Sequence, residues 1–375
     1  MRAKIMVVVL NVAIVLSLAA QGVGTSEAPT FSWGLDTIKV DWWGIVPTGP
    51  VLKFGYGSFG FLPGLRSDLQ AKAGLGYESY SLFRGENSRD PVFTNQATLT
   101  AIQKPDAQME IGFRQGILPL DAKRDLLSAF IYANGRVSKY FGTPISGGTS
   151  FSDRYEELMA SFLGGLKLDD SKVSPNGVMV GHMALFEAEW GPSFLSAQGT
   201  DFARAGIRAL DYLPLFDLGG DRNLLSGYLV LGASAKYADG GNLPIFVLEG
   251  TDVRGYQLGL DSKLRAWGTV EARFNLPSAW SRSDILPVLF FFVDGGWYQG
   301  FANLLPGSSW VDAGGPLASV GGGLGVNVFN FATPYVALGL PLISQDSKGH
   351  QLLGATPYTL SFGFSLHPED VFDWL

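Results

Sequence analysis

The segment GTDVRGY, Gly250 to Tyr256, sets an arginine between a valine and a glycine, just after the apolar stretch LPIFVLEG. Two acids downstream stand where a carboxylate needs a reason. Glu271 lies in TVEARF, and Asp294 interrupts the apolar run LFFFVDGGWY. The chemistry open to these three is ion pairing with defined geometry. The planar fork of Arg254 can serve carboxylates bidentately with little reorganisation. Gly255 beside it lets backbone approach a wall. Two readings fit the spacing. Either Arg254 reaches both acids, or it is a solvated turn residue and Asp294 pairs with a nearby Lys or Arg.

Other chemistry finds little footing. The histidines are His182, between Gly181 and Met183 in a strand pattern, His350 in a turn pattern, and His367 past the last strand pattern. None comes with a Ser or acid constellation, so no enzyme activity is expected. The chain has no Cys, which removes disulfides and thiolate metal sites. No metal-ligand cluster stands out, and neither cofactor nor metal is expected. GGGLGV, Gly321 to Val326, lacks the Lys-Ser/Thr of a phosphate loop. Its odd-numbered glycines are expected to give an inward loop room to pack. A net charge of −7 argues against nucleic acid as a partner.

Composition constrains the elements that must position Arg254 and the acids. Hydrophobic residues make up 46% of the 375 and charged residues 16%, against ~25% charged in typical soluble domains. Past the N-terminus no apolar run reaches ~18 residues, so helical membrane spans are not expected. Apolar residues must instead be interleaved with polar ones. The N-terminal MRAKIMVVVLNVAIVLSLAAQGVGTSEA has a basic start, an apolar middle and small residues for cleavage, and reads as a secretory signal over 1–24.

The interleaving has period two, the mark of a strand. In KLRAWGTVEARF, Lys263, Arg265, Thr269, Glu271 and Arg273 face one way; Leu264, Ala266, Val270, Ala272 and Phe274 face the other. DAQMEIGFRQG and LSGYLVLGASAKY alternate likewise, and turn-rich stretches such as QKPDA, LGGDRN and ADGGNLP separate the runs. Strands are expected near 51–62, 67–82, 94–103, 106–116, 126–141, 154–167, 176–190, 201–213, 224–237, 263–274, 285–298, 317–330, 335–343 and 357–366. That makes about 14, with a further hairpin arm open at Leu35 to Ile45. Some runs exceed ten residues, long for a soluble sandwich, and a tilted strand needs ~9–11 residues to cross a bilayer. In lipid both ladder edges must be satisfied, so the sheet should close on itself. Aromatics near run ends (Tyr77, Tyr80, Tyr140, Phe141, Trp190, Trp297, Tyr298) suit interfacial girdles. The expected fold is an all-β transmembrane antiparallel barrel of 14–16 strands over 51–366, after a short segment 25–50 and before a tail 367–375.

Parity then bears on the acids. Glu271 falls on the polar side of its strand. Asp294 shares parity with Phe292 and Gly296, opposite Phe291 and Val293. An ionised carboxylate facing lipid is costly, so Asp294 is expected to point inward. Lys72, Glu110, Arg114, Glu187, Glu189, Arg204, Arg208, Arg265 and Arg273 would line the same lumen with both signs of charge.

GTDVRGY, VEARFNLP, FFVDGGWYQG, ASVGGGLGVNV, PYVALGLPL and YTLSFGFSL, in this order, resemble the C-terminal barrel of the Omp85 superfamily, also called the bacterial surface antigen family. The resemblance covers Gly250 to Leu366. The family's VRGY/F motif falls on Val253, Arg254, Gly255 and Tyr256, its strand acid on Glu271, and its F-x-D-x-G motif on Phe292, Asp294 and Gly296. It implies an extracellular loop folded back into the barrel, its arginine on the two acids. Nine expected strands precede the motif and five follow, which puts the loop on the extracellular side when the N-terminus is periplasmic. Family barrels have 16 strands. The resemblance further implies a bacterial outer-membrane protein that assembles, inserts or translocates other proteins. Its partners would be the lipid bilayer, client barrel proteins, and a separate POTRA-bearing or periplasmic protein, because only about 25 residues lie between the signal and the first expected strand, below the ~50 of a small domain. The alternative is a passive or gated outer-membrane pore in which the loop lock is purely structural.

Overall fold

The computed structural model describes residues 30–35, 38–41, 44–47, 50–56, 67–83, 99–121, 124–144, 155–173, 178–218, 225–244, 253–256, 262–276, 285–301, 311–328, 332–345, 347 and 358–366. The expected signal (1–24) and tail (367–375) lie outside them. Among the described residues strands carry nearly all the regular structure, with one short 3-10 turn at Ser193–Leu195. Among the described residues no helix is long and apolar enough to cross a membrane.

The strands are β1 (Thr30–Leu35), β2 (Ile38–Asp41), β3 (Gly44–Pro47), β4 (Pro50–Tyr56), β5 (Ser67–Phe83), β6 (Leu99–Pro119), β7 (Asp125–Pro144), β8 (Tyr155–Asp169), β9 (Lys172–Val173), β10 (Met179–Gly191), β11 (Asp201–Asp217), β12 (Ser226–Asn242), β13 (Leu264–Asn275), β14 (Ile285–Phe301), β15 (Val311–Val328), β16 (Ala332–Pro341) and β17 (Thr359–Leu366). β1 pairs with β4 and β2 with β3 in one shared register, with Leu35 opposite Pro50 and Ile38 opposite Pro47. These four pieces are thus two arms of a single hairpin. From β4 the antiparallel ladder runs through β5, β6, β7 and β8 to β10, then neighbour by neighbour to β17. β17 pairs back onto β2 through four residue pairs, Ser361↔Asp41 to Phe364↔Ile38. With the hairpin counted as two arms and the two-residue β9 set aside, the described residues make fourteen strands. Nine precede residues 253–256 and five follow.

The number matches expectation, but two pieces differ. Residues 94–103 and 106–116 were expected as separate strands around QKPDA, yet β6 runs unbroken through them. Pro105 pairs opposite Tyr77 of β5, while on the β7 side the register skips Lys104 and Pro105 and resumes unshifted at Asp106↔Ser138. A proline that lacks its donor only interrupts a ladder locally. In compensation, the sheet begins at Thr30 instead of residue 51; the extra arm left open at Leu35 to Ile45 exists, but it is formed by β1 and β2, and the expected bounds run on into β3 of the returning arm. β1, β2 and β3 are 6, 4 and 4 residues long, too short for parity to declare them.

Burial is inside out. Along β14 the outward Phe291 and Val293 are 53% and 56% exposed, while Phe292 and Asp294 between them are 3% and 1%. Ile131, Phe186, Ile207, Val270 and Leu324 are likewise exposed apolar residues on their strands. The apolar face is therefore outside, as a bilayer-embedded barrel requires. Trp190, Tyr237 and Trp297 are exposed near strand ends, in keeping with a girdle. Tyr298, expected among them, is instead one of the most buried side chains, because it shares parity with the inward Asp294 and Gly296. The girdle candidates Tyr77, Tyr80, Tyr140 and Phe141 have side chains outside the described set.

Candidate functional site

The site is built where β13 and β14 lie side by side. Their register sets Thr269 opposite Asp294 and Glu271 opposite Phe292. Period two turns these residues inward while Val270 and Val293 face out. Thr269, Glu271, Phe292 and Asp294 are all buried, so two carboxylates share one stretch of inner wall without bulk water to solvate them.

Arg254 supplies the compensating charge. Its Nε donates to Asp294 Oδ2 at 2.8 Å and its Nη2 to Asp294 Oδ1 at 2.7 Å, a fork-on-carboxylate pair. The backbone N–H of Arg254 donates to Asp294 Oδ2 at 3.0 Å. Nη1 donates to Glu271 Oε2, and Nη2 also donates to Thr269 Oγ1 at 2.8 Å. The Thr269 hydroxyl in turn donates a hydrogen bond to Asp294 Oδ1 at 2.6 Å. The guanidinium carbon lies 3.6 Å from the centre of the Phe292 ring, a cation–π contact. Arg273 Nε donates to the remaining oxygen of Glu271, Oε1. Two arginines thus balance two acids, which a buried ionic cluster needs to offset its desolvation cost. Burial disfavours the Arg254 cation, but the hydrogen bonds it donates to Asp294 and the field of Glu271 outweigh it and hold its pKa above the ordinary value.

The rest of the tetrapeptide is held as closely. Gly255 has φ +97°, a conformation that favours glycine. It lies against Ser319 of β15 and against the backbone at Gly339 and Leu340 of β16, and its carbonyl accepts from Thr359 Oγ1 of β17 at 2.5 Å. Val253 is buried against Gly296, where any Cβ would stand 2.6 Å from a Val253 methyl. The Tyr256 hydroxyl lies 3.1 Å from the carbonyl oxygens of Ala318 and Ile343, and accepts from the Ala318 N–H at 3.2 Å. Four residues therefore touch five consecutive strands, β13 to β17.

All eight residues singled out in the sequence (Val253, Arg254, Gly255, Tyr256, Glu271, Phe292, Asp294 and Gly296) meet here. The open alternative, a solvated Arg254, does not match the geometry. Sequence reading missed Thr269, Thr359, Ser319 and Gly339. Thr269 had a signal, since it shares the polar parity of Glu271 two residues on. The expectation for GGGLGV needs correction. Gly321 and Gly323 make room for the rings of Phe292 and Phe290 on β14. The glycines that admit the inward segment are Gly296 and Gly339.

Elsewhere on the wall Glu189 is buried, accepting from Ser161 Oγ and from Arg204 Nε, the latter at 2.6 Å. Among the described residues no group of His, Cys, Asp and Glu could hold a metal ion.

No family model matches the chain, and no curated protein matches it. Solved structures do. CdiB from Escherichia coli matches with a TM-score of 0.51 at 12% identity, over 91% of this chain and 68% of that one. BamA from Haemophilus ducreyi lacking POTRA domains 1–3 matches with 0.47 at 11%, over 90% and 70%. CdiB from Acinetobacter baumannii gives 0.44 at 12%, over 90% and 65%. The likeness to the E. coli CdiB carries the fold, that of an antiparallel transmembrane β-barrel.

Proposed function

We propose that the protein is a bacterial outer-membrane barrel that assists insertion of other proteins into the outer membrane, or their translocation across it. The observation that carries this reading is the bidentate seat of Arg254 on Asp294, with Glu271 as second acceptor, inside a barrel whose sequence resembles the Omp85 superfamily. The eight residues act as a loop lock: they hold an extracellular loop in the lumen, occlude it and stiffen the wall. Link lengths support the orientation. Residues 243–263 and 342–358 join strands at one end, and 120–124 and 329–331 at the other; outer-membrane barrels keep long loops outside and short turns in the periplasm. Segment 1–24 serves as the export signal.

The seam supports a route for clients. β17 meets β2 in four residue pairs, whereas β14 meets β15 in a ladder running from Ile285↔Val328 to Phe301↔Val311. A short seam is the cheapest place for the wall to open sideways, and it leaves strand edges able to template an incoming strand. Client barrels, a separate periplasmic or POTRA-bearing protein and the bilayer are the partners on this reading.

A gated pore is the second reading, favoured by a lumen whose charges are paired in both signs, as at Arg204 and Glu189. Reconstitution in liposomes separates the two. Faster folding of a client barrel in the presence of the protein is the expected result. Ion conduction with no effect on client folding would sink the insertion reading.

A further inference from the structure

We infer that a second inward segment, Val178 to Val180, enters the lumen from the short-turn end and is coupled to the Arg254 cluster through Glu271 and its neighbour Arg273. At the start of β10 the chain leaves the wall. Its ladder with β11 ends at Gly181↔Tyr212, although β11 continues on β12 as far as Asp217↔Ser226. Met179 and Val180 pair instead with β9, at Val173 and Lys172. The departure point is Gly181, at φ +106°. It is braced by Asp170, whose N–H donates to the His182 carbonyl at 3.0 Å and whose Oδ1 accepts from the His182 N–H at 2.5 Å. A side chain at Gly181 would strike Asp170 as well as strain the backbone.

The small hairpin crosses the inner face. Val178, 3% exposed, packs with the buried Tyr228 and Val230, and Met179, Val180, Leu210 and Tyr212 flank them. Tyr228 and Val230 share parity with the buried Ser226 and Ser234, and their ladder partners on β13 are Arg273 and Glu271. The apolar seat of the hairpin and the ionic seat of Arg254 are therefore cross-strand neighbours on one inner surface. Side chains directly opposite one another on adjacent strands interact, so a change at one bears on its partner. Glu271 offers one oxygen to Arg254 and the other to Arg273, and Arg273 stands directly opposite Tyr228 in the β12–β13 ladder. Releasing Arg254 would free Glu271 to turn toward Arg273 and draw it from Tyr228, loosening the floor beneath Val178. Pushing Val178 out would act along the same contacts in reverse, because a coupling free energy is reciprocal.

The inference rests on the inward position of Arg254 and not on any transport activity. Single-cysteine reporters read it cleanly, since the chain has no Cys. A Val178→Cys reporter in the reconstituted barrel should react with a water-soluble maleimide at least about fivefold faster when combined with Arg254→Ala or Glu271→Gln. A Val253→Cys reporter should likewise react faster with Val178→Asp, or with the gentler Val178→Ala where the aspartate variant fails to fold. Unchanged labelling at either reporter, in variants that keep the heat-modifiable migration of a folded barrel, overturns the coupling. A failed client-folding assay leaves it standing.

Discussion

Gly339 of β16 meets Gly255 so closely that a Cβ on Gly339 would lie 2.7 Å from the Gly255 Cα and 2.9 Å from its nitrogen. Both atoms are backbone, so neither can swing aside as the tip of a side chain can. The inward segment has a place on β16 only because two glycines face each other. We expect Gly339→Ala to weaken the seat by ~1–3 kcal/mol, the usual cost of overpacking. Protease cleavage within 243–263 of the folded barrel should speed up. Gly295→Ala is the control, since a Cβ there meets nothing within 4 Å. Equal cleavage in both variants would contradict the packing argument.

Arg254→Ala strands a buried Asp294 without its cation, and leaving one member of a buried pair alone costs ~3–5 kcal/mol. Arg254→Lys should recover little of it. An ammonium cannot reach both oxygens of Asp294, Thr269 and Glu271 together as the fork does. The check is the temperature at which heat-modifiable migration is lost; a lysine variant as stable as the native protein would argue against the bidentate seat.

The two acids should not be equal. Asp294 accepts three hydrogen bonds from Arg254 and one from Thr269, whereas Glu271 keeps Arg273 when Arg254 is lost. Asp294→Asn should therefore lower the urea midpoint of the folded barrel more than Glu271→Gln does. The reverse order would mean that Glu271 anchors the cluster.

Neighbouring residues on β11 give a test of the outer face. Ile207 is an exposed apolar residue, and Arg208 falls on the lumenal parity next to it. Ile207→Arg should cost ~2–4 kcal/mol in folding into liposomes when the site lies near the bilayer centre. Arg208→Gln, facing the lumen, should stay within about ±0.5 kcal/mol. Similar costs for the two would overturn the assignment of faces.

Much of this was legible in the chain because a barrel writes its fold in period two. The parity of TVEARF and LFFFVDGGWY alone turned Glu271 and Asp294 to one side, since each step along a strand reverses the face and lipid penalises a carboxylate. Parity failed where runs were short, as in β1 to β3. It also failed where the turn-like stretch QKPDA hid a continuing strand at Pro105, and where an aromatic near a strand end was read by position instead of by face, as with Tyr298.

Patterns along the chain were enough for the all-β barrel, the inward parity of the acids and the candidate arginine, whereas the strand count agreed only because the split at Pro105 offset the uncounted first arm. Which groups meet is settled by the folded chain alone. Thr269 enters the cluster because register sets it opposite Asp294. Gly339 and Thr359 enter because β16 pairs with β15 and β17 in turn pairs with β16. Val178 joins the same inner surface because the chain leaves the wall at Gly181. Parity is a property of one strand at a time, whereas register and loop docking are set by contacts between segments far apart in the chain, and no local pattern records them.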